Sequence, residues 1–170
     1  MSTGAIVGIV IAGLVTALFV PLRVAVAKQR RAVETARARL AAAKVRRQAK
    51  AVPVEAIQRV GSSIGHVPRS ATCALADDGL YCLSDDGRWG ARVRFAPGAP
   101  EIGDLVLTAP PALVKGGAAA GNLPDWLVPV LASLPPNGLL LQFAEGLSWF
   151  IAVPDAEEWF AQLMLAVQPQ

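Results

Sequence analysis

Gly61-Ser62-Ser63-Ile64-Gly65 sets a serine in a G-x-S-x-G frame, and the chain's single histidine, His66, follows at once. In hydrolases that frame is a sharp strand-to-helix turn above a large parallel sheet, and the histidine that takes the serine proton comes from a distant segment. Here the histidine is adjacent and the chain is too short for such a sheet, so no serine nucleophile is assigned, and His66 reads as a surface or hinge residue. Cys73 and Cys82 are the only cysteines. A turn centred on Asp77-Asp78 makes them face each other on neighbouring strands. In an oxidising compartment they could bridge, with the register deciding; in a reducing one they are small apolar fillers. Two cysteines and one histidine without a C-x-x-C do not make a zinc site. Asp77, Asp78, Asp85 and Asp86 come as two Asp-Asp-Gly triplets, which turn chemistry explains better than calcium ligation. No glycine loop suited to phosphate is present. These residues predict no catalytic site, no metal site, no cofactor and no enzymatic activity.

The elements around them follow from pattern. Asp-Gly between apolar runs signals hairpins, because glycine takes the positive φ such turns need. Strands are predicted at 71–76, 80–84 and 89–95 as a meander, with a fourth at 104–109. A second hairpin joins 139–143 (LLLQF) to 147–153 (LSWFIAV) across Ala144-Glu145-Gly146. VEAIQRV (54–60) predicts a short helix ending at Gly61. Residues 110–123 are low in complexity and loop-like. Asp125–Leu134 reads as a short apolar helix or a sticky surface loop, and Trp126, Leu127 and Leu131 within it are candidate partner contacts together with Trp89. A helix is predicted at 155–167. Asp155 stands at its N-cap with Glu158 three residues on, and Trp159, Phe160, Leu163, Met164 and Val167 form its buried stripe.

DDGLYCLSDDGRW, LLLQFAEGLSWFIAVPD and AEEWFAQL together resemble the pleckstrin-homology-like superfold in its bacterial membrane-anchored versions, over about residues 68–168. The resemblance implies a bent antiparallel sheet capped at one end by the terminal helix, with Trp159 facing the core. It also implies a module that binds a peptide or a lipid headgroup.

Ahead of this domain the sequence changes character. Residues 4–22 carry no charge over nineteen positions, which at about 1.5 Å per residue approaches the thickness of a bilayer's hydrocarbon. Ten of the sixteen Lys and Arg fall in residues 1–50 with a single acid, Glu34, whereas residues 51–170 hold twelve acids and six bases. The net charge of +3 therefore hides an acidic domain behind a basic segment, and such a domain repels nucleic acid. Basic flanks stay cytoplasmic. The expected organisation is a transmembrane helix at 1–23, a basic helical stalk at 24–52 and a PH-like β domain at 53–170. The fold class is then α+β: one transmembrane helix, its stalk, and a mainly antiparallel sheet closed by an amphipathic C-terminal helix. The expected location is the inner membrane, single-pass, with the N-terminus outside and the domain in the cytoplasm. Gly4, Gly8, Ala12 and Thr16 form a small-residue stripe suited to docking on another membrane helix. Arg23, Lys28, Arg30 and Arg31 are placed to meet anionic lipid headgroups. The functional expectation is a non-catalytic accessory or scaffolding subunit of a larger bacterial membrane complex whose partners are integral membrane subunits. The alternative is a membrane-tethered peptide- or lipid-binding module.

Overall fold

Three runs of this chain, LYCL (80–83), LLLQF (139–143) and SWFI (148–151), are apolar at nearly every position, a pattern suited to strands with both faces covered. The computed structural model, which describes residues 24–95, 99–119 and 123–167, buries them in that way. Helix α1 (24–42) precedes β1 (Val45–Val60), β2 (Ser63–Ala76), β3 (Gly79–Ser84), β4 (Gly90–Arg94) and β5 (Asp104–Val106). Then come β6 (Ala112–Lys115), β7 (Ala118–Ala119), the short helix α2 (Val128–Leu131), β8 (Asn137–Gln142), β9 (Leu147–Ile151) and helix α3 (Ala156–Val167).

All nine strands form one sheet in the order β5-β4-β3-β2-β1-β9-β8-β6-β7. Each neighbouring pair is antiparallel except β4 and β5, which run parallel. The sheet curls until the chain leaving β5 reaches β8's end, where Leu107 bridges Phe143. Two register shifts in β1, one between Val45 and Arg47 and one between Ala49 and Val52, each insert an extra residue opposite β2. Ala51 sits in the second with φ 52°. Such bulges bend and twist a strand, and here they bend the sheet's central one.

Alternation then sorts the side chains. Cys73, Leu75, Leu80, Cys82, Leu139, Leu141, Trp149 and Ile151 point into the concave core, closed by Trp159 and Leu163 of α3. Ile57, Leu140 and Phe150 point outward and are covered by Leu127, Val130, Leu131 and Leu134 around α2. Ala74, Ala76, Tyr81 and Leu83 also point outward, beneath Ala36, Leu40 and Ala43 of α1 and its C-terminal end. Polar ties reinforce that cover. Arg39 of α1 bonds Asp104 at 3.1 Å and pairs with Glu101. Arg92 grips both Asp104 oxygens, at 2.7 and 2.8 Å, and reaches Asp78 at 2.8 Å. The Tyr81 hydroxyl donates to Asp78 at 2.6 Å, and burial followed by that acceptor pushes its pKa up to about 12.

Several sequence expectations are corrected here. The helical stalk at 24–52 ends at residue 42, and the chain from Val45 is the start of the central strand. The helix expected at 54–60 is the continuation of that strand. High helix propensity lost to pairing with β2 along the whole strand and with β9 from Val54 to Gln58. Arg47, expected on a solvated stalk, lies over the Trp159 ring at 5.5 Å and pairs with Asp155 and Glu158 of the α3 end. Asp155 takes φ 52°, and its carbonyl, at 2.9 and 3.1 Å, accepts the N–H groups of Glu158 and Trp159. The α+β class headed by a transmembrane helix gives way to a curled nine-stranded sheet with α1 packed on its outer face. Among the described residues no helix is long and apolar enough to cross a membrane. The single-pass, inner-membrane assignment is overturned with it. Its proposed span, 4–22, lies outside the described residues.

Asp104 is the hinge of this polar network. Burial opposes its charge, but the Arg92 hydrogen bonds, the Glu101 N–H and the charges of Arg92 and Arg39 outweigh that, and its pKa lies below the ordinary carboxylate value. A depressed native pKa means that its stabilisation is full above the unfolded value of about 4 and is lost as pH falls through the native one. Asp104→Asn, which leaves Arg92 with Asp78 as its one carboxylate partner, should cost on the order of 2 kcal/mol at neutral pH. Urea unfolding at pH 7 and pH 3 should show the difference from wild type narrowing at the lower pH.

Candidate functional site

The β1–β2 hairpin is longer than the strands beside it. Its turn is Gly61-Ser62, with Gly61 at φ 61°. β2 pairs with β1 from Ser63 onward, but with β3 only from Ala71. Among the described residues, the outer edge of β2 from Ser63 to Arg69 thus has no neighbouring strand. Hydrogen bonding alternates along an antiparallel strand. Ser70 gives its carbonyl outward, to the Asp85 N–H at 3.1 Å. Stepping back by twos, Pro68, His66 and Ile64 also turn their backbone groups away from β1. Ile64 and His66 offer a donor and an acceptor each; Pro68 offers a carbonyl alone.

Beneath this overhang the curl of the sheet leaves a groove of about 560 Å³. Val67 and Arg69 of β2, Trp89, Leu105, Leu147 and Trp149 form its walls. Trp89 meets Trp149 edge-on, with ring centres 4.7 Å apart at 61°, and Phe143 meets the same Trp149 at 5.2 Å. The Arg69 guanidinium lies over the Trp89 ring at 5.2 Å, and its buried Nε has no hydrogen-bond partner. Ile64, Val67 and Val60 remain exposed at the rim, at 36%, 47% and 69%. The β3–β4 turn is built rigidly at one end. Ser70 and Thr72 hydroxyls bond Asp85, and Asp86 accepts from the Ser84 hydroxyl and the Arg88 N–H, which hold its pKa below the ordinary value. This arrangement can take an apolar side chain against the two indoles, a strand along the edge, and an acceptor group at Arg69. It holds no nucleophile with a base.

Of the candidate partner contacts read from the sequence, Trp89 alone enters this groove, together with Ser63, Ile64 and Gly65 of the G-x-S-x-G frame. Trp126 is partly covered, and Leu127 and Leu131 are buried at 0% and 4%, all on the opposite, outer face, where they seat α2 on the sheet. Lys28, Arg30 and Arg31 are exposed on α1. Gly4, Gly8, Ala12, Thr16 and Arg23 lie outside the described residues. The G-x-S-x-G frame is the hairpin tip: Ser63 opens β2 and His66 pairs with Ile57, so no strand-to-helix elbow exists there. Among the described residues no three His, Cys, Asp or Glu side chains group to hold a metal ion. Val67 and Arg69 were missed, and Ile64 was read only as part of the serine frame. The signal was Gly-Ser between Arg59-Val60 and Ser63-Ile64, a two-residue hairpin turn flanked by β-branched residues.

No protein-family model matches the chain, and no curated protein matches its sequence. The groove is therefore interpreted on its chemistry.

Trp89→Ala removes the edge-on contact to Trp149 and the seat of Arg69. It should lower stability by about 1–2 kcal/mol in urea denaturation, with Trp89→Phe recovering most of the loss.

Proposed function

We propose that this chain is a non-catalytic interaction subunit, an accessory or scaffolding member of a larger assembly, which grips an extended segment of a partner polypeptide. The observation that carries the reading is the β2 edge at Ile64–Pro68, unpaired among the described residues, lying beside the Trp89–Trp149 groove. An exposed strand edge is a template for another strand, and natural folds usually blunt or cover it. Added-strand recognition draws affinity from main-chain hydrogen bonds and specificity from pockets for alternate side chains. Both parts are present here. Arg69, at the rim beside Trp89, is left for a backbone carbonyl or a single carboxylate of that segment.

Full-length protein tagged at its C-terminus should retain a stoichiometric polypeptide when purified in mild detergent. His66→Pro deletes an outward donor and leaves the β1 ladder whole. It should weaken that partner about tenfold, while His66→Ala does not. Val67→Pro, one residue on, removes a bond to β1 and should destabilise the fold instead. If His66→Pro held the partner as tightly as wild type, the edge would not be the contact. Protein that purifies without any stoichiometric chain but binds anionic vesicles would replace this reading with the lipid-headgroup one.

A further inference from the structure

Cys73 and Cys82 stand directly opposite each other on β2 and β3, their sulfurs 3.3 Å apart and both side chains fully buried. The kind of pairing decides what they can do. Asp85 N–H bonds Ser70 carbonyl, so Ser70 and Asp85 are a hydrogen-bonded pair. Three steps along the same register, Cys73 and Cys82 are a non-hydrogen-bonded pair. At such positions the Cα atoms approach to about 4.5 Å and the side chains lean together. That separation lies within the usual range for a disulfide, so the bond needs side-chain rotation and no movement of the backbone.

We infer that Cys73 and Cys82 are a disulfide-forming pair, oxidised during folding by exchange with a small-molecule disulfide and joining β2 to β3 across the core. One thiolate attacks a sulfur of the small disulfide, forms a mixed disulfide and releases one small thiol. The second protein thiolate then attacks the protein sulfur of that mixed bond, and a second small thiol leaves. The two protein protons end on the two released thiols, and the small disulfide is the oxidant consumed. The time of closure follows from burial. In the finished fold the Cys82 thiol is held well above its ordinary pKa, by its contact with Cys73 first and by burial second. Both sulfurs are also fully buried, out of reach of any reagent. Exchange belongs to the folding chain, before Leu75, Leu80 and Trp149 close over the pair. Whichever redox state is set at folding persists afterward.

The test is translation of the full chain in vitro, with either a reductant or an oxidised-and-reduced glutathione mixture present. Thiols are then counted by denaturing maleimide labelling and intact mass. The expected product of the oxidising reaction carries no free thiol, weighs less by two hydrogen atoms, and melts on the order of 5 °C higher. The chain translated under reduction should resist both maleimide and oxidised glutathione until urea is added. A Cys73→Ala variant, which cannot close the bond, should show one free thiol or a glutathione adduct under the oxidising condition. Two free thiols after oxidative translation, stable glutathione adducts on the wild-type chain, or cross-linked dimers would each overturn the inference. Rapid labelling of the folded, reduced protein would overturn the assignment of closure to folding.

Discussion

Everything in this fold hangs on the pairing of β1 with strands from both ends of the chain. The first strand in sequence is the central strand in space, with β2 on one side and β9 on the other. Its partner β9 lies some ninety residues downstream, Val54 facing Ile151 and Gln58 facing Leu147. The β2–β5 half can assemble locally through short turns, but the sheet is not joined until β9 arrives. Such a non-local contact carries the loop-closure entropy of the whole intervening chain. What repays it is the core assembled on the seam: Val54, Ile151, Trp149 and Ala71 share the concave face, and α3 docks only once β9 has delivered it.

The same seam explains why the sheet is covered on both faces. A strand twisted by two bulges makes the sheet curl, and a curled sheet buries its concave side against itself. The convex side must then find separate cover. Over β2 and β3 it comes from α1, whose contacts are small: Ala36, Leu40 and Ala43 on Ala74, Ala76 and Tyr81. Little apolar area is available there, so the ion network built on the buried Asp104, with Arg39, Arg92 and the half-exposed Asp78, matters more for positioning α1 than surface pairs usually do.

The sequence was legible where local rules and packing agree. The two Asp-Asp-Gly turns, the hairpin about Ala144–Gly146, and the terminal helix stripe with Trp159 and Leu163 all stand where turn chemistry and period place them. It misled where propensity and packing conflict. KVRRQAKAVPVEAIQRV reads as helix because Ala, Arg, Lys and Gln favour one; only the β-branched Val45, Val52, Val54, Ile57 and Val60 hint at a strand. No local signal announces that both its edges will be paired. The groove was half legible. Trp89 stood out by type, but Arg69 and Val67 gain meaning only from the curl that sets them over β4 and β9. Trp126, Leu127 and Leu131 looked sticky because they are core, seen without the sheet they cover.

That long central hairpin also accounts for the exposed edge. Once β1 extends to Val60 to carry β9, β2 must extend equally, while β3 stops at Ser84, where Trp89 and Asp86 turn the chain. A free edge of this length invites aggregation, and natural sheets blunt it with proline, charge or a bulge. Here the blunting is partial. Pro68 removes one outward donor, but Ile64 and His66 keep theirs, and Ile64 and Val67 add exposed apolar surface rather than charge. A fold under selection only for solubility would have placed lysine at those positions. The persistence of a donor–acceptor row beside an apolar, arginine-capped groove is more economically explained by a strand that comes to pair with it than by incomplete protection.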